Sequence, residues 1–167
     1  ANGCILIETI NISSVNSPSI SINTISPSCH GGSNGEIDIT IVAGANPITY
    51  DWSTGENTED ISNLTAGIYD VTIIDSSGCG IVEVITLNDA PIIDLSSYVS
   101  NDATCGNSDG SLAVFASGGV GGLNFLWSSG ETTPILSGLS TGSYTLSVSD
   151  GNGCLAMSSY SISNING

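Results

Sequence analysis

The chain has 167 residues, with 16 Asp and Glu, one His and no Lys or Arg, so its formal net charge is −16. Without basic side chains it cannot neutralise phosphates, which excludes nucleic acid as a partner, and no apolar run approaches the roughly 20 residues of a membrane-spanning helix, so we expect no membrane insertion. Hydrophobic residues make up 40% of the chain, which predicts a folded acidic protein and not a disordered acidic tail.

Apolar and polar residues alternate with period two along much of the chain, and the spacing typical of helices is nearly absent. The alternation predicts strands over residues 5–12, 36–42, 67–74, 81–87, 143–149 and 155–162. Turn sequences rich in Gly, Ser, Asn and Asp separate them, at residues 31–35, 53–55, 75–78, 118–122 and 150–153. Short strands with turn signals roughly every 8–12 residues predict an all-β fold of antiparallel β-sandwiches, immunoglobulin-like in style.

The pattern recurs with a period of 75 residues. Trp52 and Trp127 are 75 positions apart, as are Gly35 and Gly110. The same spacing separates the pairs Gly3-Cys4, Gly78-Cys79 and Gly153-Cys154. A period of this length with so many fixed points indicates tandem copies of one small domain.

The phase of the period defines the domain boundaries. We expect residues 1–12 to be the last strand of a preceding repeat, residues 13–88 to be the first complete repeat and residues 89–167 the second. Cys4 lies where a repeat is already ending, so the chain is predicted to be a stretch of a longer array. A domain of this size has a small core and is expected to need a covalent staple.

Five cysteines in small repeats indicate an oxidising compartment, and their spacing leaves two disulfide pairings open. In the first, Cys29–Cys79 and Cys105–Cys154 close each repeat on itself and Cys4 stays unpaired. In the second, Cys4–Cys29 and Cys79–Cys105 tie neighbouring repeats together and Cys154 is left over. We favour one intra-repeat disulfide each, because a loop of about 50 residues would stabilise a small domain by about 4 kcal/mol in the chain-entropy picture.

Each copy also carries the same ordered series of motifs. In the first copy they are Cys29, Gly35, Trp-Ser-Thr-Gly-Glu at 52–56, Leu-Thr-Ala-Gly-Ile-Tyr at 64–69 and Asp-Ser-Ser-Gly-Cys at 75–79. In the second they are Cys105, Gly110, Trp-Ser-Ser-Gly-Glu at 127–131, residues 139–144 and Asp-Gly-Asn-Gly-Cys at 150–154. This order resembles the SprB-type repeat, which occurs in very large cell-surface proteins of gliding Bacteroidota.

The resemblance implies a function and a location. It implies an extracellular protein, secreted to the cell surface, in which the repeats form a structural length of the stalk or filament of an adhesin for attachment or gliding. The partners would be neighbouring repeats of the same chain and neighbouring copies in a filament. The alternative is an adhesion module that itself binds carbohydrate or protein, in a manner that could depend on calcium.

Four aromatic residues are fixed points of the repeat: Trp52, Trp127, Tyr69 and Tyr144. An exposed Trp before a turn could form a platform for a sugar. We favour core positions for all four, because immunoglobulin-like sandwiches bury a Trp and use a conserved Tyr at a strand corner.

Asp75, Asp150 and Asp109 are candidate calcium ligands, because hard cations prefer oxygen ligands and these residues lie in Gly-rich turns. Asp before Gly is also an ordinary turn former, since its carboxylate accepts local hydrogen bonds. No segment matches the twelve-residue calcium loop. We therefore favour the turn-forming interpretation and expect no cofactor.

Residues that could support catalysis are scarce. His30 is the sole histidine and there is no lysine, so a serine or cysteine nucleophile has almost nothing to activate it. We expect that the protein is not an enzyme.

Overall fold

The computed structural model of the protein describes residues 17–165, and these are all-β. Cys4 and the predicted strand 5–12 lie outside the described residues. Within this range no helix is long and apolar enough to cross a bilayer. The strands are β1 (Ser19–Ile25), β2 (Gly35–Ala43), β3 (Thr49–Trp52), β4 (Ile61–Leu64), β5 (Gly67–Ile74), β6 (Gly80–Leu87), β7 (Tyr98–Asn101), β8 (Ala103–Thr104), β9 (Gly110–Val114), β10 (Asn124–Trp127), β11 (Ile135–Leu139), β12 (Gly142–Ser149), β13 (Leu155–Ile162) and β14 (Asn164–Ile165).

The strands combine in the same order in both halves of the chain. The first half has the sheets β1-β2-β4 and β3-β5-β6, and the second half has β7-β9-β11 and β10-β12-β13. The pairs β3/β5, β7/β9, β9/β11, β10/β12 and β12/β13 are antiparallel. Two three-stranded sheets connected in this order correspond to strands A-B-E and C-F-G of an immunoglobulin sandwich. The predicted all-β, antiparallel, immunoglobulin-like fold is confirmed.

The chain separates into two compact units, which we describe individually. The described part of the first unit comprises residues 17–23, 37–61 and 68–85, and that of the second comprises residues 24–36, 62–67 and 86–165. These units are not the predicted repeats. The repeat boundaries at residues 12/13 and 88/89 therefore stay a prediction from the sequence.

The core of the first unit is built from alternate residues of its strands. Ile37 and Ile39 of β2 are 1% and 2% exposed, and Val71 and Ile73 of β5 are fully buried. Since neighbouring residues of a strand point to opposite sides, this alternation places one apolar face of each strand inside. Each such side chain contributes about 1.5–3 kcal/mol by leaving water.

The core of the second unit follows the same rule. Its buried cluster includes Leu112 and Val114 of β9 and Leu146 and Val148 of β12, with Trp127 from β10. Ser111 and Ala113 alternate with the buried residues of β9 and are only partly buried. The sequence alternation therefore determines which face of each sheet packs inward.

Gly110, at the start of β9, is one of the fixed points of the repeat, and its surroundings explain this. A Cβ atom at this position would lie 2.9 Å from the Leu139 carbonyl oxygen and 2.9 Å from Ile162 Cγ2. At Gly35, which is the equivalent residue of the first copy, a Cβ atom would lie 2.9 Å from the Leu64 carbonyl oxygen. Two strands approach too closely at this point for any larger residue.

Candidate functional site: the disulfide junction

A disulfide joins Cys29 to Cys154, with an S–S distance of 2.00 Å and a Cα–Cα distance of 5.5 Å across 125 positions of sequence. Cys29 lies between β1 and β2, and Cys154 lies in the turn between β12 and β13. The bond therefore connects the first predicted repeat to the second. The predicted bonds Cys29–Cys79 and Cys105–Cys154 are wrong, and Cys105 is a free, exposed thiol.

The position of the cysteines within a repeat explains the correction. Cys105 directly follows Thr104, which pairs with Ile165 just beyond the end of β13, whereas Cys154 directly precedes the start of β13. An eight-residue strand such as β13 spans about 25 Å. A disulfide requires Cα atoms within about 7 Å. The two cysteines of one repeat lie at opposite ends of its last long strand and cannot meet.

The same holds in the first copy. The Gly31 N–H donates to Asp89 Oδ1 at 3.0 Å, which places the Cys29 loop beside the residues that follow β6. Cys79 precedes the other end of β6. Spacing along the sequence could not reveal this, because it gives the length of a loop but not the end of the sandwich at which it lies.

Polar contacts surround the bond. Asn152 Nδ2 donates to the Ser28 carbonyl oxygen at 3.0 Å, and the same oxygen lies 3.3 Å from Cys154 Sγ. Asn34 holds Ser28 in place, because its Oδ1 accepts the Ser28 N–H at 3.0 Å and its Nδ2 donates to Ser28 Oγ at 2.9 Å. The turn that carries Cys154 thus rests on a loop with a fixed conformation.

A second contact holds the Cys29 loop to the chain that leaves β6. His30 Nδ1 lies 2.8 Å from Asp89 Oδ2, and protonation of the imidazole makes this contact an ion pair. Asp89 Oδ1 also accepts the Ala90 N–H at 3.0 Å. Since residues 89–90 begin the second predicted repeat, the start of that repeat is fixed beside the loop to which its last turn is bonded.

Asp150 organises the turn that carries Cys154. Its carboxylate accepts N–H groups from Val120 at 2.8 Å, Asn152 at 2.9 Å and Cys154 at 2.9 Å. The Val120 N–H, together with the Cys154, Asn152 and Gly153 N–H groups, lowers the pKa of Asp150 below its usual value, and burial opposes them. Because these backbone N–H donors favour the ionised carboxylate, Asp150 stabilises the turn in its charged form.

Asp75 has the same role in the first copy. It accepts the Ser77 hydroxyl, which is the largest cause of its lowered pKa, and the N–H groups of Ala45, Ser77 and Cys79. Asp109 accepts the Thr104 N–H at 2.7 Å and its hydroxyl at 2.6 Å. The three calcium candidates are thus engaged by local donors. Within residues 17–165, no three His, Cys, Asp or Glu side chains are arranged to hold a metal ion.

Comparison with known protein families gives the type of repeat. The family model of the SprB repeat matches residues 21–57 and 97–132. Each copy thus contains a segment that matches the SprB repeat. The matched segments begin before the first cysteine of each copy and end after its Trp-Ser-x-Gly-Glu motif, so they include the first part of the motif series and not the motifs at 64–69, 75–79, 139–144 and 150–154.

Several solved structures are similar to this chain. The three N-terminal domains of the outer capsid protein Hoc of bacteriophage RB49 align with a TM-score of 0.51 and 20% identity, over 89% of this chain and 59% of that one. A C-terminal fragment of intimin in complex with its translocated receptor aligns with a TM-score of 0.42 and 14% identity, over 89% and 64% of the chains. The eight N-terminal immunoglobulin domains of DSCAM align with a TM-score of 0.43 and 14% identity, over 89% and 25%.

These likenesses concern the fold alone. The chain spans less than two thirds of the length of each of these three structures. No curated protein matches the sequence.

The tryptophans that recur in the two copies lie at equivalent places. Trp52 and Trp127 are 3% and 2% exposed. Each indole N–H donates to a backbone carbonyl six residues ahead, Trp52 to Thr58 at 2.8 Å and Trp127 to Thr133 at 2.9 Å. A Trp that is buried and hydrogen-bonded in this way has no face to offer a sugar.

The two tyrosines differ in burial. Tyr69 is 7% exposed. Tyr144 is half-buried, and its hydroxyl donates to the Ser140 carbonyl oxygen at 2.9 Å. A Tyr near the start of strand F that bonds to the backbone a few residues upstream is the tyrosine corner of immunoglobulin-like sandwiches.

One core aromatic was missed from the sequence. The Tyr160 ring lies 5.8 Å from the Trp127 ring, and its buried hydroxyl donates to the Leu95 carbonyl oxygen at 2.8 Å. The period did not reveal it, because the equivalent residue of the first repeat is Ile85. The alternation of residues 155–162 does contain the signal, since it places Tyr160 and Ile162 on one face.

A groove of about 680 Å³ in the first unit was also missed. It is lined by Ile41, Asn46, Pro47, Ile48, Tyr50 and Glu59. Burial and then the neighbouring Glu59 raise the pKa of Tyr50 to about 12. In the second repeat, Phe125 takes the place of Tyr50 in the register with strand F.

Proposed function

We propose that this chain is a structural segment of the extracellular stalk or filament of a bacterial surface adhesin. The observation that carries the proposal is the disulfide from Cys29 to Cys154, which links the first predicted repeat to the second. A disulfide between successive repeats holds them together along an array. Disulfides persist in oxidising surroundings outside the cytoplasm.

The residues that recur support the same function. They are buried aromatics, turn-forming carboxylates, close-packed glycines and cysteines in loops and turns. The net charge of −16 adds mutual repulsion, which favours extension and discourages lateral association of copies. The residues that recur therefore serve to fold each repeat and to link it to its neighbour.

A spacer exchange tests the proposal. In cells that display the adhesin, residues 17–165 would be replaced by an unrelated pair of immunoglobulin-like domains of equal length. Antibodies to the adhesin on intact cells would first verify that the exchanged protein reaches the surface in equal amount. We expect cell attachment to be retained, because a stalk contributes length and not a specific surface. Loss of attachment with normal display would overturn the proposal.

The second candidate function is direct binding of carbohydrate, and the groove at Tyr50 is the observation that favours it. Tyr50 offers a ring, and Asn46 and Glu59 offer an amide and a carboxylate. Sugar sites commonly combine an apolar surface with a few such polar groups.

A glycan array separates the two candidates. Binding of the chain that is lost in Tyr50→Ala and kept in the matched change Phe125→Ala would favour the carbohydrate module. No binding by the folded chain favours the stalk.

A further inference from the structure

We propose that the loop of Cys105 is a second junction, which receives the Asp-x-x-Gly-Cys turn of a further SprB repeat and forms a disulfide with the cysteine of that turn. The bond would repeat the one between Cys29 and Cys154, one repeat further along the array. The inference concerns how the repeats connect, and it holds whatever the adhesin attaches to.

The Cys105 loop has the same internal support as the Cys29 loop. In the Cys29 loop, Asn34 Oδ1 accepts the N–H of Ser28, the residue before the cysteine, at 3.0 Å. In the Cys105 loop, Asp109 Oδ1 accepts the N–H of Thr104, the residue before that cysteine, at 2.7 Å. Each of these side chains lies immediately before the fixed glycine, Gly35 or Gly110.

The side chain before each cysteine is held as well. Ser28 Oγ accepts from Asn34 Nδ2 at 2.9 Å, and Thr104 Oγ1 donates to Asp109 Oδ2 at 2.6 Å. Because the conformation is fixed before any partner arrives, a turn that docks here meets a preformed surface.

The loops differ in length by one residue, and the carbonyl oxygen before the cysteine has a different hydrogen-bond partner in each. The Thr104 carbonyl oxygen accepts the Asn107 N–H at 2.9 Å within its own loop. The equivalent oxygen of Ser28 accepts Asn152 Nδ2 from the docked turn. A carbonyl oxygen has two lone pairs, so Thr104 can accept a second donor of the same kind.

The segment that follows the last long strand of each repeat lies beside the cysteine loop of that repeat. Asp89 and Ala90, which begin the second repeat, contact His30 and Gly31. At the second loop, Asn164 and Ile165 pair with Ala103 and Thr104 in a parallel ladder. A repeat attached after these residues would begin beside Cys105, as the second repeat begins beside Cys29.

Cys105 has no partner within its own repeat. Cys154 lies at the opposite end of β13 and is already bonded to Cys29. The Cys105 thiol is free and exposed. The partner that fits it is a turn of the type 150–154, in which the aspartate bonds to the N–H of the cysteine and so holds that cysteine at the surface of the turn.

The bond requires an oxidant. The two thiols lose two protons and two electrons and form one S–S bond, and one molecule of oxidised glutathione takes up both electrons and protons to give two molecules of reduced glutathione. In an oxidising compartment a thiol–disulfide exchange catalyst of the same class would act in its place.

A chain with three repeats tests the proposal. One more copy of residues 93–167 is appended directly after Gly167, which preserves the 75-residue period. In this copy the counterpart of Cys105 is replaced by serine, so that the peptide of Cys105 has a mass of its own. The original and the extended chains are refolded in a glutathione redox buffer, alkylated without reduction, and digested with a protease that cleaves after Glu and Asp. Mass spectrometry then identifies the alkylated and the disulfide-linked cysteines.

We expect Cys105 to be alkylated in the original chain. In the extended chain we expect it to be linked to the appended copy of Cys154. The Cys29–Cys154 bond in the same molecule reports correct folding. The matched variant Cys105→Ser should leave the cysteine of the appended turn alkylated and the Cys29–Cys154 bond intact.

Alkylation of Cys105 in an extended chain that contains the Cys29–Cys154 bond would overturn the proposal. So would a bond from Cys105 to any other cysteine. Absence of the Cys29–Cys154 bond would also overturn it, because the proposal rests on that junction. None of these results depends on attachment to a surface, so the stalk function can fail independently.

Discussion

The buried hydroxyl of Tyr160 donates to the carbonyl oxygen of Leu95 at 2.8 Å, across 65 positions of sequence. Tyr160 belongs to β13, and Leu95 lies in the segment that leads into β7. Two residues of the same core cluster are therefore joined by a hydrogen bond that water does not reach. This contact fixes the entry of the chain into the second sandwich to its last long strand.

Tyr160→Phe should destabilise the protein by about 1–3 kcal/mol, because it leaves the Leu95 carbonyl oxygen without this donor in the core. The midpoint of urea unfolding, followed by tryptophan fluorescence, measures the loss. Tyr144→Phe is the matched control. It removes a hydroxyl whose hydrogen bond is exposed, so its cost should be smaller. Equal costs for the two variants would contradict the importance of the buried contact.

Removal of the junction disulfide should have the largest effect on stability. The bond closes a loop across 125 positions, and the chain-entropy model assigns such a loop about 5 kcal/mol. The double variant Cys29→Ser, Cys154→Ser should therefore unfold at much lower urea concentration than the parent under oxidising conditions.

The control for this change is Cys105→Ser, which removes an exposed thiol. It should alter the unfolding free energy by less than about 0.5 kcal/mol. Addition of a reductant should bring the parent to the stability of the double variant. A parent that is insensitive to reduction would contradict the Cys29–Cys154 assignment.

Gly118 should tolerate no side chain. Its φ is +78°, and a Cβ atom would lie 1.9 Å from the Ile92 carbonyl oxygen. Gly118→Ala must therefore move the segment that leads into β7, and the backbone strain alone costs about 1–3 kcal/mol. Gly122→Ala, in the same loop, meets nothing within 4 Å and should be nearly neutral. Thermal unfolding of both variants gives the comparison.

The Asp150 turn should make stability depend on pH at the acid end. Hydrogen bonds, first that of the Val120 N–H, hold the pKa of Asp150 below the ordinary value of 3.8. A carboxyl whose pKa is lower in the folded state stabilises that state fully above pH 3.8. The contribution is lost as the pH falls from there through the folded pKa.

Asp150→Asn should therefore lower stability at pH 7 and flatten the decline of the unfolding free energy below about pH 4. Asp38→Asn, on the exposed face of β2, removes one charge outside the turn and controls for the change in net charge. The measurement is urea unfolding at a series of pH values from neutral to acid. An unchanged slope in Asp150→Asn would show that the turn does not contribute as an anion.

Local sequence patterns predicted the strands well and the junction badly, for a physical reason. The alternation over 67–74 and 155–162 coincides with β5 and β13, because the period of a strand is a property of neighbouring residues. The sandwich follows, since each strand then has one face to bury. Asp150 was also identified correctly as a turn former from its place before Asn and Gly.

The partner of Cys29 could not be found in this way. Two loops that meet across 125 positions are brought together by the order of strands in two sheets, and neither loop carries that information in its own sequence. Tyr160 was not predicted because the 75-residue period marks only residues that both repeats share, and the first repeat has Ile85 at this position. The groove at Tyr50 escaped for the same reason, since Phe125 takes its place in the second repeat.

The bond between Cys29 and Cys154 also determines how the chain would respond to tension. A pull on the residues that precede Cys29 and follow Cys154 is carried from one cysteine to the other through the sulfur atoms. The chain between them, from residue 30 to residue 153, is bypassed and cannot be drawn out, which withholds about 400 Å of extended chain. Unfolding of the sandwiches under load would leave the tether almost as short as before, and chemical reduction would release its hidden length.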